Sequence, residues 1–278
     1  MLSGVALGTV RPAVEKELLH HDILREMSRA GLLTELTFNG GTCLRMCYDS
    51  RRLSEDLDFT GGSDFHPDQL ADLKNTLEST LMEKYGLPVS VSEPQLQTEN
   101  VSTWKLRLET QPWQKHLPTQ RIHIDICALP SRRRRPSLLR NYYGVDMGTD
   151  GLVVQAESRE EILADKWVAL AMRPNRVQYR DLWDIIHLRQ HGVELSSELV
   201  GLKLSDRGIA ASIFRGNLRQ RIEELAGDRR GHRQFTQEMR RFLPTAPAGQ
   251  AFEDPNYWSA LIGTIEQMRD RDREETQS

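Results

Sequence analysis

Between Arg121 and Cys127 the chain alternates without a break, with Ile122, Ile124 and Ile126 interleaved among Arg121, His123, Asp125 and Cys127. Such a pattern demands an extended strand, because successive side chains of a strand point to opposite faces, whereas a helix would scatter the isoleucines around its circumference. The chain therefore has to build a sheet with one face on a core, and Asp125 has to project from the other face. Further strands are expected at Leu36 to Phe38, Leu53 to Phe59, Val89 to Leu96, Ser102 to Glu109 and Leu152 to Gln155. In Leu53 to Phe59 the residues Leu53, Leu57 and Phe59 face one way, and Ser54, Asp56 and Asp58 face the other.

Helical spacing fills the gaps. Leu18, Leu19, Ile23, Leu24 and Met27 predict a helix over Glu15 to Ala30, ended by Gly31. Asn39-Gly40-Gly41-Thr42 turns the first strand into a short helix at Cys43 to Cys47, and a longer helix is expected from Pro67 to Lys84 with Gly86 as its C-cap. After Gln155 the pattern is helical throughout. Ser158 and Glu161 form a capping box for a helix reaching Met172, followed by helices near Tyr179 to His191, Ile209 to Leu225, Gln234 to Phe242 and Pro255 to Arg269. The polar tail from Arg271 to Ser278 is expected to fray. Strands with helices first and helices alone afterwards predict an α+β protein: a mixed sheet with helices in an N-terminal lobe, residues 1–155, and an all-helical C-terminal lobe, residues 156–278.

Composition closes off several classes. With 38% hydrophobic and 28% charged residues in 278, the chain has the apolar content of a folded globular protein. No run approaches the roughly 18 apolar residues that cross a bilayer, and the N-terminus lacks a basic segment followed by an apolar one, so the expected address is cytoplasmic, without membrane contact. Cys43, Cys47 and Cys127 fit no disulfide framework or zinc spacing and read as reduced, small hydrophobes. The formal net charge of -3 hides an uneven distribution. Between Val101 and Val145 nine Lys or Arg, Lys115 among them, face only Glu109 and Asp125, a local excess of +7 that suits a polyanion. Arg132 to Arg135, closed by Pro136, reads as a charged loop.

The chemistry concentrates around Asp56-Leu57-Asp58. Two carboxylates two apart on a strand point to the same side and repel unless a cation stands between them; a hard divalent ion such as magnesium takes carboxylate oxygens and keeps positions for phosphate. Asp125 can complete the site from another strand. Three acids on strands can hold two ions roughly 3.5 to 4 Å apart, the arrangement that serves nucleotidyl transfer. An isolated pair of this kind is also an ordinary solvated strand face. Upstream, Gly40-Gly41-Thr42 lets backbone N–H groups approach a phosphate at a helix N-terminus, with Thr42 able to cap or to donate its hydroxyl. The glycine turn and Asp56-x-Asp58, separated by thirteen residues, are more specific together than either is alone.

A Gly-Gly turn, a helix, a strand with two acids one residue apart and a third acid on a later strand resemble the nucleotidyltransferase superfamily typified by DNA polymerase β, with Gly40, Gly41, Asp56, Asp58 and Asp125 at the matching positions. More narrowly, FNGGTCLRM, RRLSEDLDF, ILADKWVAL and YRDLWDI are similar to the AbiEii toxins of type IV toxin-antitoxin systems, from about Leu32 to His191. The resemblance implies a toxin that transfers NMP from a nucleoside triphosphate (NTP) to RNA, with the 3′ acceptor end of tRNA as the implied acceptor and translation blocked as the result, and with Mg2+ or Mn2+ held by Asp56, Asp58 and Asp125. It also implies an AbiEi-like antitoxin, commonly with a winged-helix DNA-binding part. Lys166 has only apolar helical neighbours, Ile162, Leu163, Ala169 and Leu170, so by spacing it either snorkels outward or aims into a polar cleft. The resemblance makes it a contact to the nucleotide phosphates. Asp181 matches a later acid of the family; it either orients Lys166 or an attacking group, or simply sits favourably near a helix N-terminus. Asp184 is the weaker candidate, and Arg180 is an anion contact or a partner for either.

Other positions have two readings each. Ser54 contacts phosphate or faces solvent, while Arg45 and Arg51-Arg52 read as solvated charges near the nucleotide. His123 and Cys127 flank Asp125, but no second histidine or cysteine stands at zinc spacing. Trp183 and His187 read as helix packing. Arg132, Arg133, Arg134 and Arg135, with Tyr142 and Tyr143 nearby, combine charge with rings on which bases stack, an RNA contact if not a solvated loop. Two rival functions share these residues: a nucleotidyltransferase acting on a small molecule or a protein, and a non-catalytic nucleotide-binding module.

Overall fold

The computed structural model describes residues 4–94, 100–109, 119–174, 176–228, 230–244 and 251–277. They cluster into two compact units, Arg11–Glu157 and Ser158–Ser278 together with Met1–Val10. In chain order the first part contains α1 (Gly4–Arg29), β1 (Thr37–Asn39), α2 (Gly40–Tyr48), β2 (Leu57–Thr60), α3 (Leu73–Tyr85), β3 (Val89–Ser92), β4 (Val101–Leu108), β5 (Gln120–Cys127), β6 (Arg134–Leu138) and β7 (Val153–Glu157). The architecture is α+β, and among the described residues the seven strands form one mixed sheet in the order β3-β4-β5-β2-β1-β7-β6. Ile122, Ile124 and Ile126 are fully buried with Trp104, Leu106, Leu57 and Phe59, so the alternation of β5 does place one face on the core. Lys115, the expected strand end at Leu96 and the terminal Ser278 lie outside the described residues.

Three expectations for this unit need correction. β2 begins at Leu57, not Leu53, because the carbonyls just upstream are satisfied by side chains instead of a strand ladder. Arg52 Nη1 donates to Leu53 O at 2.9 Å, His20 Nε2 lies 3.1 Å from Glu55 O, and the Thr42 hydroxyl donates to Asp56 O. Arg134 and Arg135 are not in a loop; they open β6, which pairs antiparallel with β7 at the edge of the sheet. Pro136 is tolerated there because an edge strand has one side free of ladder bonds. Finally, the helix expected from Pro67 splits into a 3-10 turn at Pro67–Leu70 and α3.

The second unit carries α4 (Arg159–Met172), α5 (Tyr179–Gln190), α6 (Ser197–Asp206), α7 (Ala211–Gly227), α8 (Gly231–Met239) and α9 (Pro255–Gln277). Ser158 caps α4 by accepting from Glu161 N at 3.2 Å. An aromatic cluster packs α5, α8 and α9: Trp183 stacks on Tyr257 at 6.3 Å, and Phe235 meets Tyr257 and Trp258. Helix α6 has no counterpart in the sequence reading, and α9 continues to Gln277 where fraying was expected. Among the described residues no helix is long and apolar enough to cross a membrane.

Candidate active site

Strand pairing assembles the acids. Asn39 is the register partner of Asp58, Asp58 of Asp125, and Asp125 of Thr103. Directly paired residues share a face, so one lateral row across β1, β2, β5 and β4 reads Asn39, Asp58, Asp125, Thr103. The Thr103 hydroxyl donates to Asp125 Oδ1 at 2.6 Å. Asp56, just before β2, lies along the row nearest to this one: its Oδ1 accepts from His123 N at 3.2 Å and stands 3.6 Å from His123 Nδ1. Burial raises the pKa of the Asp125 carboxyl, the Thr103 hydrogen bond opposes the shift, and the charge of Asp56 adds to it.

Gly40 starts α2 directly against this row. Its φ of +72° suits glycine, and a Cβ there would lie 2.3 Å from Asp58 Oδ2. At Gly41 a Cβ would meet Arg52 Nη2 at 2.2 Å and Ser54 Oγ at 3.0 Å. Both glycines are thus dictated by contact, and the turn packs on the acids as closely as a backbone can. Thr42 is fully buried and its hydroxyl is committed to the Asp56 carbonyl, so it ties the turn to the acid strand instead of capping α2. Ser54 is buried beside Gly41 and does not face solvent.

Two arginines depart from the solvated reading. Arg52 is 2% exposed, with its guanidinium under Gly41. Arg45 is buried, with Nε 2.6 Å from Glu17 Oε1, Nη1 donating to Ser50 O at 3.1 Å, and its guanidinium 3.7 Å from the Tyr142 ring centre. That stacking covers one face of Tyr142, whose hydroxyl donates to Arg45 O at 2.9 Å, while the Tyr143 hydroxyl donates to Glu17. These rings serve packing. Arg132 to Arg135 remain exposed. Thr103 is a site neighbour that the sequence reading passed over, although the alternation of β4 opposite β5 carried its signal; Arg52 was placed near the nucleotide as a solvated charge, and nothing local signalled its burial.

The chemistry of the donor set fits a hard divalent cation: carboxylates at adjoining register positions, one of them resisting ionisation through burial and a like charge. The acids are neighbours, not a closed cage. Among the described residues no three His, Cys, Asp or Glu side chains converge as a ready-made metal site, and this holds for Asp56, Asp58 and Asp125 as it does for His123 and Cys127.

In the helical unit, Lys166 does not snorkel outward. Its Nζ lies 2.6 Å from Asp181 Oδ1 and 3.0 Å from Asp184 Oδ2, and Asp181 Oδ2 is 3.0 Å from Arg173 Nε. Asp181 and Asp184 are buried and project from α5 one turn apart, so both hold the ammonium in place. Asp184 is therefore a second partner of the ammonium, somewhat farther from it than Asp181. Arg180 lies 3.7 Å from Glu238 and over the Phe242 ring.

A family model described as "Nucleotidyl transferase AbiEii toxin, Type IV TA system" matches residues 22–261. Among solved structures, MenT4, a nucleotidyltransferase toxin of Mycobacterium tuberculosis H37Rv, is 16% identical over 98% of this chain and 94% of its own, with a TM-score of 0.55. JHP933 of Helicobacter pylori is 17% identical over 100% of this chain and 97% of its own, with a TM-score of 0.50. Identities this low speak to the fold alone. Among curated proteins none matches the chain.

Proposed function

The chain belongs to the AbiEii family of nucleotidyl transferase toxins of type IV toxin-antitoxin systems, and from that premise we propose that it transfers NMP from an NTP to RNA, with the 3′ acceptor end of tRNA as the target. The observation that carries the reading is the shared row of Asp58 and Asp125 with Gly40 packed against it. Asp56, Asp58 and Asp125 would hold Mg2+ or Mn2+, which when bound supplies charge neutralisation at the phosphates.

The chain's own groups divide the remaining work. The N–H groups at the start of α2 have no partners within the helix and offer donors to an anion, and only glycine lets that backbone close on Asp58. Asp125, fixed through Oδ1 by Thr103, is placed to receive, as a carboxylate, the proton of the attacking hydroxyl. In the helical unit, Lys166 keeps the phosphate-binding role, and Asp181 and Asp184 orient its ammonium. The family also implies a cognate antitoxin, for which an AbiEi-like protein is the natural candidate.

Incubation with each labelled NTP and total RNA, with magnesium and with chelator, tests the reading. Label is expected in the tRNA fraction and only with the metal. Label that enters protein or a small molecule would move the acceptor to another class, and no transfer with any of the four nucleotides would remove the enzymatic reading.

A further inference from the structure

We propose that the open face of β3, β4 and β5 is a track for the phosphodiester backbone of the acceptor RNA, leading away from the acidic row. The inference rests on the transfer to RNA argued above and assigns that acceptor a binding surface. Pairing defines successive rows on this face. Beyond Asp58, Asp125 and Thr103 comes a row of His123, Lys105 and Ser92, and beyond that a row of Arg121, Arg107 and Ser90. Rows two residues apart on a strand are separated by about 7 Å, so along β4 and β5 the face passes from Asp125 to cations within one row, with Asp56 beside His123 on the β2 side of that row, and reaches Arg121 about 13 Å from Asp125.

Lys105, Arg107, Arg121, Ser90 and Ser92 are exposed, while the alternate residues Trp104, Leu106, Ile122 and Ile124 are buried. Among the described residues, no carboxylate stands within ion-pair distance of Lys105, Arg107 or Arg121. Folding gains nothing from this arrangement, because Arg107 and Arg121 are direct cross-strand partners and like charges in that position destabilise a sheet. A ligand of opposite charge relieves the repulsion. Apart from the His123 imidazole next to the acidic row, the groups present are cations and small hydroxyls with no Phe, Tyr or Trp among them, which suits phosphate oxygens better than bases. The acidic row repels a backbone and suits only the terminal hydroxyl, so the strand would lie with its 3′ end at Asp125 and its upstream phosphates over Lys105, Arg107 and Arg121.

The test is the salt dependence of binding to bulk tRNA. Each lost phosphate contact removes about 0.7 to 0.9 from the slope of log K against log salt. The triple variant Lys105→Gln, Arg107→Gln, Arg121→Gln is therefore expected to show a slope shallower by about 2 to 3, with NTP binding in magnesium unchanged. Ser92→Glu, which keeps all three cations but sets a carboxylate among them, is expected to weaken tRNA binding in the same direction, and covers the case in which the triple variant does not fold. Wild-type protein that binds and labels tRNA, with variants of undiminished slope and affinity, would overturn the track and leave the transfer reading intact. Wild-type protein that neither binds nor labels RNA would overturn both.

Discussion

Gly40 and Gly31 separate backbone strain from displacement of Asp58. Their φ angles are nearly equal, +72° and +73°, but a Cβ at Gly40 would sit 2.3 Å from Asp58 Oδ2, whereas at Gly31 nothing lies within 4 Å. An L residue in this conformation costs roughly 1 to 2 kcal/mol. Gly31→Ala should therefore lower Tm by a few degrees, at about 2 to 4 °C per kcal/mol for a chain of this size class. Gly40→Ala bears the same strain and a collision. Ordinary contact begins at 3.4 Å, so the Asp58 carboxylate or the turn must move by roughly 1 Å. A shift of that size in a reacting constellation costs on the order of 100-fold in rate. Labelled-nucleotide transfer and thermal unfolding, measured on both variants, decide the matter. The expected result is a Tm loss in both, at least as large in Gly40→Ala, with transfer reduced about 100-fold in Gly40→Ala alone. Wild-type transfer by Gly40→Ala, or equal losses of transfer in both variants, would refute the contact as the reason for the glycine.

Lys166→Met leaves Asp184 and Asp181 buried without their ammonium, which should cost about 3 to 5 kcal/mol in chemical denaturation. Adding Asp184→Asn should recover part of that loss, and a double variant no more stable than the single would count against the pairing. Asp125→Asn should raise stability at neutral pH in metal-free buffer while removing transfer. Because burial raises the native pKa of Asp125, ionising it penalises the folded state as pH climbs from the ordinary carboxylate range through the raised native value, and the penalty persists above. The stability advantage of Asp125→Asn should accordingly vanish in acid, which unfolding at a series of pH values would show. Burial also lowers His20 to about 3 and His21 to about 4, while the unfolded chain protonates near 6.5. Stability should thus be complete above about pH 6.5 and fall on acidification, with His20 contributing at most on the order of 5 kcal/mol. His20→Gln should flatten that acid limb, and an unchanged limb would remove His20 as its source.

The elements legible in the sequence were those whose pattern and partners are local. The alternation of β5 located Asp125 on the open face, and the turn at Gly40 and Gly41 announced a helix start. Strand boundaries were less legible because they depend on distant groups. Nothing near Leu53 reveals that Arg52, His20 and Thr42 will occupy the carbonyls that a longer β2 would have used. In the same way, Arg134-Arg135-Pro136 looks like a loop until β7 offers an edge to pair with.

Helix α6 shows the physical source of the remaining misses. Its inward stripe is Leu199, Val200, Lys203 and Leu204, and a lysine in that position breaks the apolar period by which a helix is recognised. Lys203 is 2% exposed nonetheless, because α4 presents Glu161 at 2.7 Å and Asp165 at 2.8 Å from its Nζ. Arg45 is a second case, buried through Glu17 on α1. Burying one charge is prohibitive, but burying it against a fixed counter-charge is tolerable, and the partner is commonly tens of residues away in the chain. A period-based reading therefore assigns such residues to solvent whenever their partners are remote. It located the Asp56 and Asp58 pair because those two charges are neighbours in sequence, and it read Arg52 as solvated because the place of Arg52 beneath Gly41 exists only once α2 and the strand-leading segment have met.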